Sequence, residues 1–457
     1  MPIHDRQQRS AVDHLVEEFT QEGLSRREFM RRAVGLGLSF SAAGALLAAC
    51  GGGSTASNTV DVLNVWGGEE QASFKAVVAP FTQQSGVKVN VESTRDLNSV
   101  LTSRIQARNP PDIAILPNPG KMQQLAKRGS LIPLDSFLDM GQIQSDYASA
   151  WINLGSYNGK LYSIFYKAAN KGTVWYNPSQ FSSNGYQIPA TWTDLITLSN
   201  KIAGSGKYPW AMGVSSQAAS GWPGADWLAQ IYLNQSGPDM YDKWVAHQIP
   251  WTDASIKSAF QMFGQIVTGS HYINGAPQSI LATGFQQASY LPFDSPPAAY
   301  MYYLGDFTAG FISTQFSSLK AGTGYNFFPF PTINSAYANS VTGGADVVAA
   351  LRNTPAVQKL VKYLATAQAQ EIWVKRGGFT SVNKSVSLSA YPDPVAQASA
   401  KMLASASNFR FGADDLMPPA MEDAFWKAML DYITNPGQLD SILTSLEGTA
   451  SQAYASA

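Results

Sequence analysis

Strand and helix signals alternate three times within the 70 residues from Val60 to Gly129. A chain with that rhythm builds a parallel-type sheet covered by helices on both faces. The alternating run Val60-Asp61-Val62-Leu63-Asn64-Val65 reads as a strand, broken by Trp66-Gly67-Gly68. Glu69 and Glu70 suit the positive end of a helix dipole, Phe74, Val77, Val78 and Phe81 follow at helical spacing, and Gly86 closes the unit. A second strand over Val87–Glu92 leads through Thr94-Arg95-Asp96 into a helix from Leu97 to Arg108. The third strand, Ile113–Leu116, is a short apolar run between Pro110-Pro111 and Pro117, and Asn118-Pro119-Gly120 opens the next helix. In such a sheet ligands bind beyond the carboxyl ends of the strands. Those ends carry Trp66, Gly67 and Gly68, then Arg95 and Asp96, then Asn118, so these residues converge on one edge.

The N-terminal region has a different character. Ala33–Ala49 is an apolar stretch of 17 residues rich in Gly, Ser and Ala, marginal for spanning a bilayer core of about 30 Å. It reads as a removable signal over residues 1–49, with Arg26 and Arg27 ahead of it suggesting twin-arginine export. Cys50, the sole cysteine, follows Leu47-Ala48-Ala49 and precedes a Gly/Ser tether, residues 50–58. Cleavage there would leave Cys50 as the N-terminal residue, with lipidation of its thiol as the natural use and a buried structural thiol as the plainer one. Acyl chains contribute about 0.8 kcal/mol per buried methylene, enough to hold a globular body at a membrane. The expected location is outside the cell membrane, lipid-anchored on its outer face, or on the periplasmic side where an outer membrane exists.

Charge and composition narrow the function. The chain has 31 Lys and Arg against 32 Asp and Glu, with six of each sign inside residues 1–49, so the remaining 408 residues are nearly neutral. That lacks the basic field needed for nucleic-acid binding. A body of this length suggests two lobes. Only His247 and His271 lie outside residues 1–49, which argues against a multi-histidine metal site, and no cofactor motif is found. Gly204-Ser205-Gly206-Lys207 ends like a phosphate loop, but Lys201 stands where the first Gly would be needed, so it reads as a turn. Eleven Trp and 12% aromatic residues fit either large cores or the flat faces that cover sugar rings.

Beyond Leu161 the chain reads as crossing between lobes. Tyr162–Asn170 is extended and leads into Val174-Trp175-Tyr176-Asn177-Pro178; Tyr325–Pro331 is a second extended passage; Gly377-Gly378-Phe379-Thr380, after an expected helix Pro355–Arg376, is a third. The expected division is lobe 1 at 59–168 plus 330–378 and lobe 2 at 169–329 plus 379–457, joined by three hinge crossings.

A site for a polyhydroxy ligand needs flat rings and bidentate polar groups. Trp222, in the broken loop Ser220-Gly221-Trp222-Pro223-Gly224, Trp227, Phe307 and Trp426 are candidate rings, although Trp222, Trp227 and Trp426 also suit core packing. Asp96, Asp226, Asp306 and Asp346 each accept two hydroxyl protons, Arg95 offers a fork of donors, and Asn118 both donates and accepts. Asp346 follows Gly343-Gly344, which would let backbone approach a ligand, and Arg376 stands at the third crossing. Each isolated charge suits a solvated surface or ion pair equally well.

The ordered series of lipobox, Trp66-Gly67-Gly68, Thr94-Arg95-Asp96-Leu97-Asn98, Pro110-Pro111-Asp112-Ile113-Ala114-Ile115, Tyr176-Asn177-Pro178 and Lys375-Arg376-Gly377-Gly378-Phe379 resembles the extracellular solute-binding proteins of ABC importers. It is most similar to the sugar-binding group that includes maltose-binding proteins and, within it, the alpha-glucoside binders. The resemblance implies an α/β, two-lobed periplasmic-binding-protein-like fold of type II, each lobe a mostly parallel sheet flanked by helices. It implies a monomeric clamp, not an enzyme, that closes on a carbohydrate and delivers it to the transmembrane subunits of a permease. It also implies that Trp426 reaches the cleft, and it places Phe307 where many relatives present Trp. Two other readings stay open: a secreted carbohydrate hydrolase with Asp226 and Asp306 as its paired carboxylates, and a receptor for an anion or glycerol phosphodiester.

Overall fold

The computed structural model describes residues 26–35 and 58–455. The chain divides into two compact units, residues 1–59 with 354–356 and residues 60–353 with 357–457. In the first, Arg26–Gly35 is helical. Cys50 and most of the expected signal and tether lie outside the described residues.

In the second unit the early alternation folds as read. Strands β1 (Thr59–Asn64), β2 (Lys88–Ser93) and β3 (Ile113–Leu116) alternate with helices Gly68–Ser85, Leu97–Gln106 and Pro119–Lys127. The first helix buries Phe74, Val77, Val78 and Phe81, and ends at Gly86, whose φ of 70° lets its N–H reach the Thr82 carbonyl. The remaining main strands are β4 (Ser163–Asn170), β5 (Thr173–Tyr176), β6 (Trp210–Ala211), β7 (Met301–Tyr303), β8 (Asn326–Pro329), β9 (Ser340–Ala350), β10 (Thr380–Ser381) and β11 (Asn408–Phe411).

They form two main sheets. The larger runs β10-β4-β9-β3-β1-β2 with β11 on β9, and the smaller runs β8-β5-β7-β6. Both are mixed rather than mostly parallel. In the larger, β1 and β3 are parallel, whereas β9 is antiparallel to β3 and β4. In the smaller, β5 is antiparallel to β7 and β8. Chain reversal is the reason: the chain leaves the larger sheet by β4, which runs in the same sense as β1 and β3, and returns by β9, which runs against all three. Both are buried along their whole length, as central strands should be. Their register shifts between Asp346 and Val347, a bulge that sets Asp346 opposite Lys167.

The chain passes to the smaller sheet through Lys171 and Gly172, between β4 and β5, and returns between β8 and β9. β10, beyond the expected third crossing, stays with the larger sheet by pairing with Ala168 and Lys167. After β11 come helices Ala413–Leu416 and Pro419–Thr434. Their Met417, Met421, Phe425 and Met429 share a core with Trp210, Met301 and Tyr303 of the smaller sheet. The helix expected over Pro355–Arg376 is two, Pro355–Leu364 and Ala367–Val374, because Thr366 caps the second by accepting from the Ala369 N–H.

Most tryptophans are structural. Trp175, Trp210, Trp244, Trp251 and Trp373 are fully buried, so aromatic richness here largely records large cores.

Candidate ligand site in a cleft at the strand ends

A cavity of about 480 Å³ opens at the carboxyl ends of β1, β2 and β3. Trp66, Arg95, Asp96 and Asn118 line it from these strand ends, Lys167 from β4 and Asp346 from β9. Lys171, Trp222, Phe285, Phe307, Asp414, Asp415 and Trp426 are among the other wall residues. One side is therefore mainly polar and the other mainly aromatic.

The polar side is a chain of charges. Lys167 Nζ lies 3.0 Å from Glu70 Oε1 and 4.0 Å from Asp346 Oδ2. Asp346 Oδ2 also accepts from Trp66 Nε1 at 3.2 Å. Burial raises the Asp346 carboxyl to about 6 against the pull of Lys167. For Lys167, burial works against the charge, but Glu70 and Asp346 more than offset it and hold its pKa above the ordinary value. Arg95 Nη2 sits 3.9 Å from Glu70 Oε2, and its guanidinium carbon lies 5.1 Å from the Phe285 ring centre.

A second charged group surrounds Lys171. Its Nζ is 2.6 Å from Asp226 Oδ1 and 3.4 Å from Asp415 Oδ2, and lies 5.8 Å from the Trp222 ring centre. Burial raises the pKa of Asp226 to about 7 and that of Asp415 well above the usual carboxylate range, in both cases against Lys171. Asp414 Oδ2 accepts from Trp426 Nε1 at 2.7 Å, which fixes that indole at the cavity wall. Trp222 contacts Phe285 and Phe307 at ring-centre separations of 5.1 and 6.2 Å.

Of the residues singled out from sequence, Trp66, Arg95, Asp96, Asn118, Trp222, Phe307, Asp346 and Trp426 meet at this cavity. Six do not line it. Gly67 and Gly68 are exposed and start the helix Gly68–Ser85, Gly67 as its N-cap and Gly68 with φ 53°. Trp227 is 2% exposed and packs on Trp210 and Tyr303, because the segment expected as a broken loop is instead the start of a buried helix, Trp222–Val245, with Pro223 accommodated in its first turn. Asp226, on the same helix, spends its charge on Lys171. Asp306 accepts from Thr380 and Ser399, tying β10 and its neighbouring helix into place. Arg376 donates from Nε to Ser73 Oγ and lines a smaller cavity of about 260 Å³, whose wall shares Glu70 and Phe307 with the larger one.

Sequence reasoning passed over Lys167, Lys171, Phe285, Asp414 and Asp415. The two lysines were readable only as part of an extended crossing, and Asp414-Asp415 are separated from the Met417-Pro418-Pro419 break by Leu416 alone. Among the described residues no group of three or more His, Cys, Asp or Glu side chains is placed to hold a metal ion. No described helix is long and apolar enough to cross a membrane.

Comparison with known proteins matches this architecture. The family model for bacterial extracellular solute-binding proteins covers residues 67–371. The osmoprotective compounds-binding protein of Synechocystis sp. is 34% identical over 375 residues, covering 82% of this chain and 88% of that protein. The alpha-glucosides-binding periplasmic protein of Rhizobium meliloti is 33% identical over 392 residues, covering 84% and 85%. Among solved structures, the bacterial solute receptor AcbH superposes with a TM-score of 0.76 at 21% identity, covering 87% of this chain and 99% of that one. Maltose-bound MalE3 of T. maritima superposes with a TM-score of 0.70 at 15% identity, covering 86% and 99%. With its two-lobed α/β fold and its cleft at the strand ends, the chain belongs to the bacterial extracellular solute-binding proteins.

Proposed function

We propose that the chain captures a carbohydrate, an alpha-glucoside or related oligosaccharide, and delivers it to the permease of an ABC importer. The observation that carries this reading is the cavity's pairing of rings with acceptors: Trp222, Phe307 and Trp426 beside Asp96, Asp346, Asp414 and Asp415. A sugar presents C–H faces to rings and hydroxyl donors to carboxylates. The relative named for alpha-glucosides supports the same class.

An anion is disfavoured by where the charges go. The four cations at the cavity are each matched to a carboxylate: Arg95 to Glu70, Lys167 to Glu70 and Asp346, Lys171 to Asp226 and Asp415, and Lys427 to Asp431. Hydrolysis is disfavoured because the carboxylates expected as its pair, Asp226 and Asp306, are held in separate buried networks away from the cavity wall.

The lobes divide best at the passages between sheets, giving 59–170 with 340–411 and 173–329 with 412–455. A sugar touching both lobes favours the closed arrangement by its differential affinity. Export by the twin-arginine route and lipidation at Cys50 would keep the clamp beside its permease. Titration calorimetry of the purified protein with glucose, maltose, trehalose, sucrose and maltotriose tests the reading. Saturable single-site heat from at least one of them is expected, and silence from all five would overturn it.

A further inference from the structure

Glu422 is 1% exposed and lies in the first turn of helix Pro419–Thr434, outside the cavity wall. Its carboxylate receives two amides from the other side of the cleft. Asn118 Nδ2 donates to Oε1 and Oε2, both at 2.8 Å, and Asn98 Nδ2 donates to Oε2 at 3.1 Å. Both asparagines line the cavity, one following β3 and one in the first turn of helix Leu97–Gln106.

Asn118 breaks a local rule to make this contact. It is the N-cap of helix Pro119–Lys127, where an asparagine normally turns its side-chain oxygen onto the helix N–H groups, yet it makes no cap hydrogen bond. Its Oδ1 is buried without a partner. A residue that forgoes its cap and leaves an acceptor unsatisfied is held in place by something else. Glu422 supplies the hold. A carboxylate only accepts, so it draws the NH₂ end of each amide towards itself and turns the carbonyl end away. Burial, with Asp415 and Asp414 nearby, pushes the Glu422 pKa well above the usual carboxylate range, and the Asn118 amide pulls the other way by donating to the charged form.

We infer that Glu422 is a positioning residue for ligand recognition, orienting Asn98 and Asn118 so that they offer carbonyl oxygens to the hydroxyls of a bound polyol or sugar. It also couples that orientation to the seating of helix Pro419–Thr434, which packs in the core of the smaller sheet. Asn98, Asn118, Asp96 and Asp414 then make one acceptor-rich wall that reads donors. This inference rests on the carbohydrate reading for its ligand, but not for the amide geometry.

The test uses the full chain with Glu422→Gln, Asn98→Ala and the double variant, together with ¹⁵N-asparagine labelling to follow side-chain amides. Glu422→Gln replaces one acceptor with a donor at constant shape. It should shift the Asn98 and Asn118 NH₂ signals and speed their exchange with water. It should also weaken the binding of whichever of the five named sugars is bound by about tenfold. Adding Asn98→Ala to Glu422→Gln should cost little more, because the two act through one contact. Should Glu422→Gln fail to fold, Glu422→Met removes the charge at similar length and should give the same shifts. Unmoved amide signals, fully additive losses, or affinity within twofold of the parent would each overturn the inference. If none of the five sugars binds the parent chain, the carbohydrate reading falls, and the amide signals still decide the role of Glu422.

Discussion

Lys171→Met removes one buried cation from between Asp226 and Asp415 while keeping side-chain length. Lys171 is 8% exposed, at 2.6 Å from one carboxylate and 3.4 Å from the other, with Asp414 nearby in the same field. Breaking a buried ion pair from one side costs about 3–5 kcal/mol, because the remaining charge is left uncompensated. Unfolding entropy near 2.1 cal/mol/K per residue over roughly 400 residues makes this a fall of about 4–6 °C in melting temperature. The pH dependence carries the sharper signature. Burial raises the folded pKa of Asp226 to about 7, above its unfolded value. Its contribution to stability is thus complete below the ordinary carboxylate range and is lost as pH rises through about 7. Without Lys171 the carboxylates still fold easily when protonated, so the deficit should be small at pH 5 and largest at pH 8. Calorimetric melting of parent and variant at both pH values measures this directly. An equal deficit at pH 5 and pH 8, or a shift below about 1 °C at pH 8, would refute the uncompensated-charge argument.

Three other substitutions separate site from core. Trp222→Ala removes a half-buried ring from the cavity wall and should weaken sugar binding by about 2 kcal/mol, or roughly 30-fold, with little change in melting; a large melting loss with unchanged affinity would return Trp222 to the core. Trp227→Ala should do the reverse, costing about 3–5 kcal/mol of stability while the folded fraction binds sugar normally, as denaturant unfolding and calorimetry together will show. For Asp346, whose folded pKa is raised to about 6, the stability contribution is lost as pH rises through that value, whereas hydroxyl binding needs the charged form. Sugar affinity of the parent should therefore fall as pH drops through about 6, and Asp346→Asn should bind weakly with a flat profile between pH 5 and pH 8.

The strand and helix alternation from Val60 to Gly129 is legible because each element carries its own local signal: period-two apolar residues in β1, helical spacing from Phe74 to Phe81, Gly86 and Pro119 as stops and starts. The strand-end rule named Trp66, Arg95, Asp96 and Asn118, which line the cavity, together with Gly67 and Gly68, which do not. What local pattern does not encode is which sheet a strand joins. Thr380–Ser381 pairs with β4 by tertiary contact, and nothing in Phe379-Thr380-Ser381 announces it. Trp222 and Trp227 illustrate the same boundary. They are five residues apart on one helix, and only the neighbours supplied by Tyr303 and Phe263 decide that Trp227 faces the core. Lys167 and Lys171 were hidden because a buried lysine, whether in a strand or just beyond it, is interpretable only once Glu70, Asp226 and Asp415, all distant in sequence, are seen around it.

Whether this cleft holds a sugar unchanged is the central question, and titration calorimetry with glucose, maltose, trehalose, sucrose and maltotriose, followed by chromatography of the recovered ligand, asks it in one experiment. The expected result is one-site binding of at least one sugar, weakened in Trp222→Ala, with the ligand recovered intact after hours with the protein. No heat from any of the five, or sugar returned as shorter products, would contradict it.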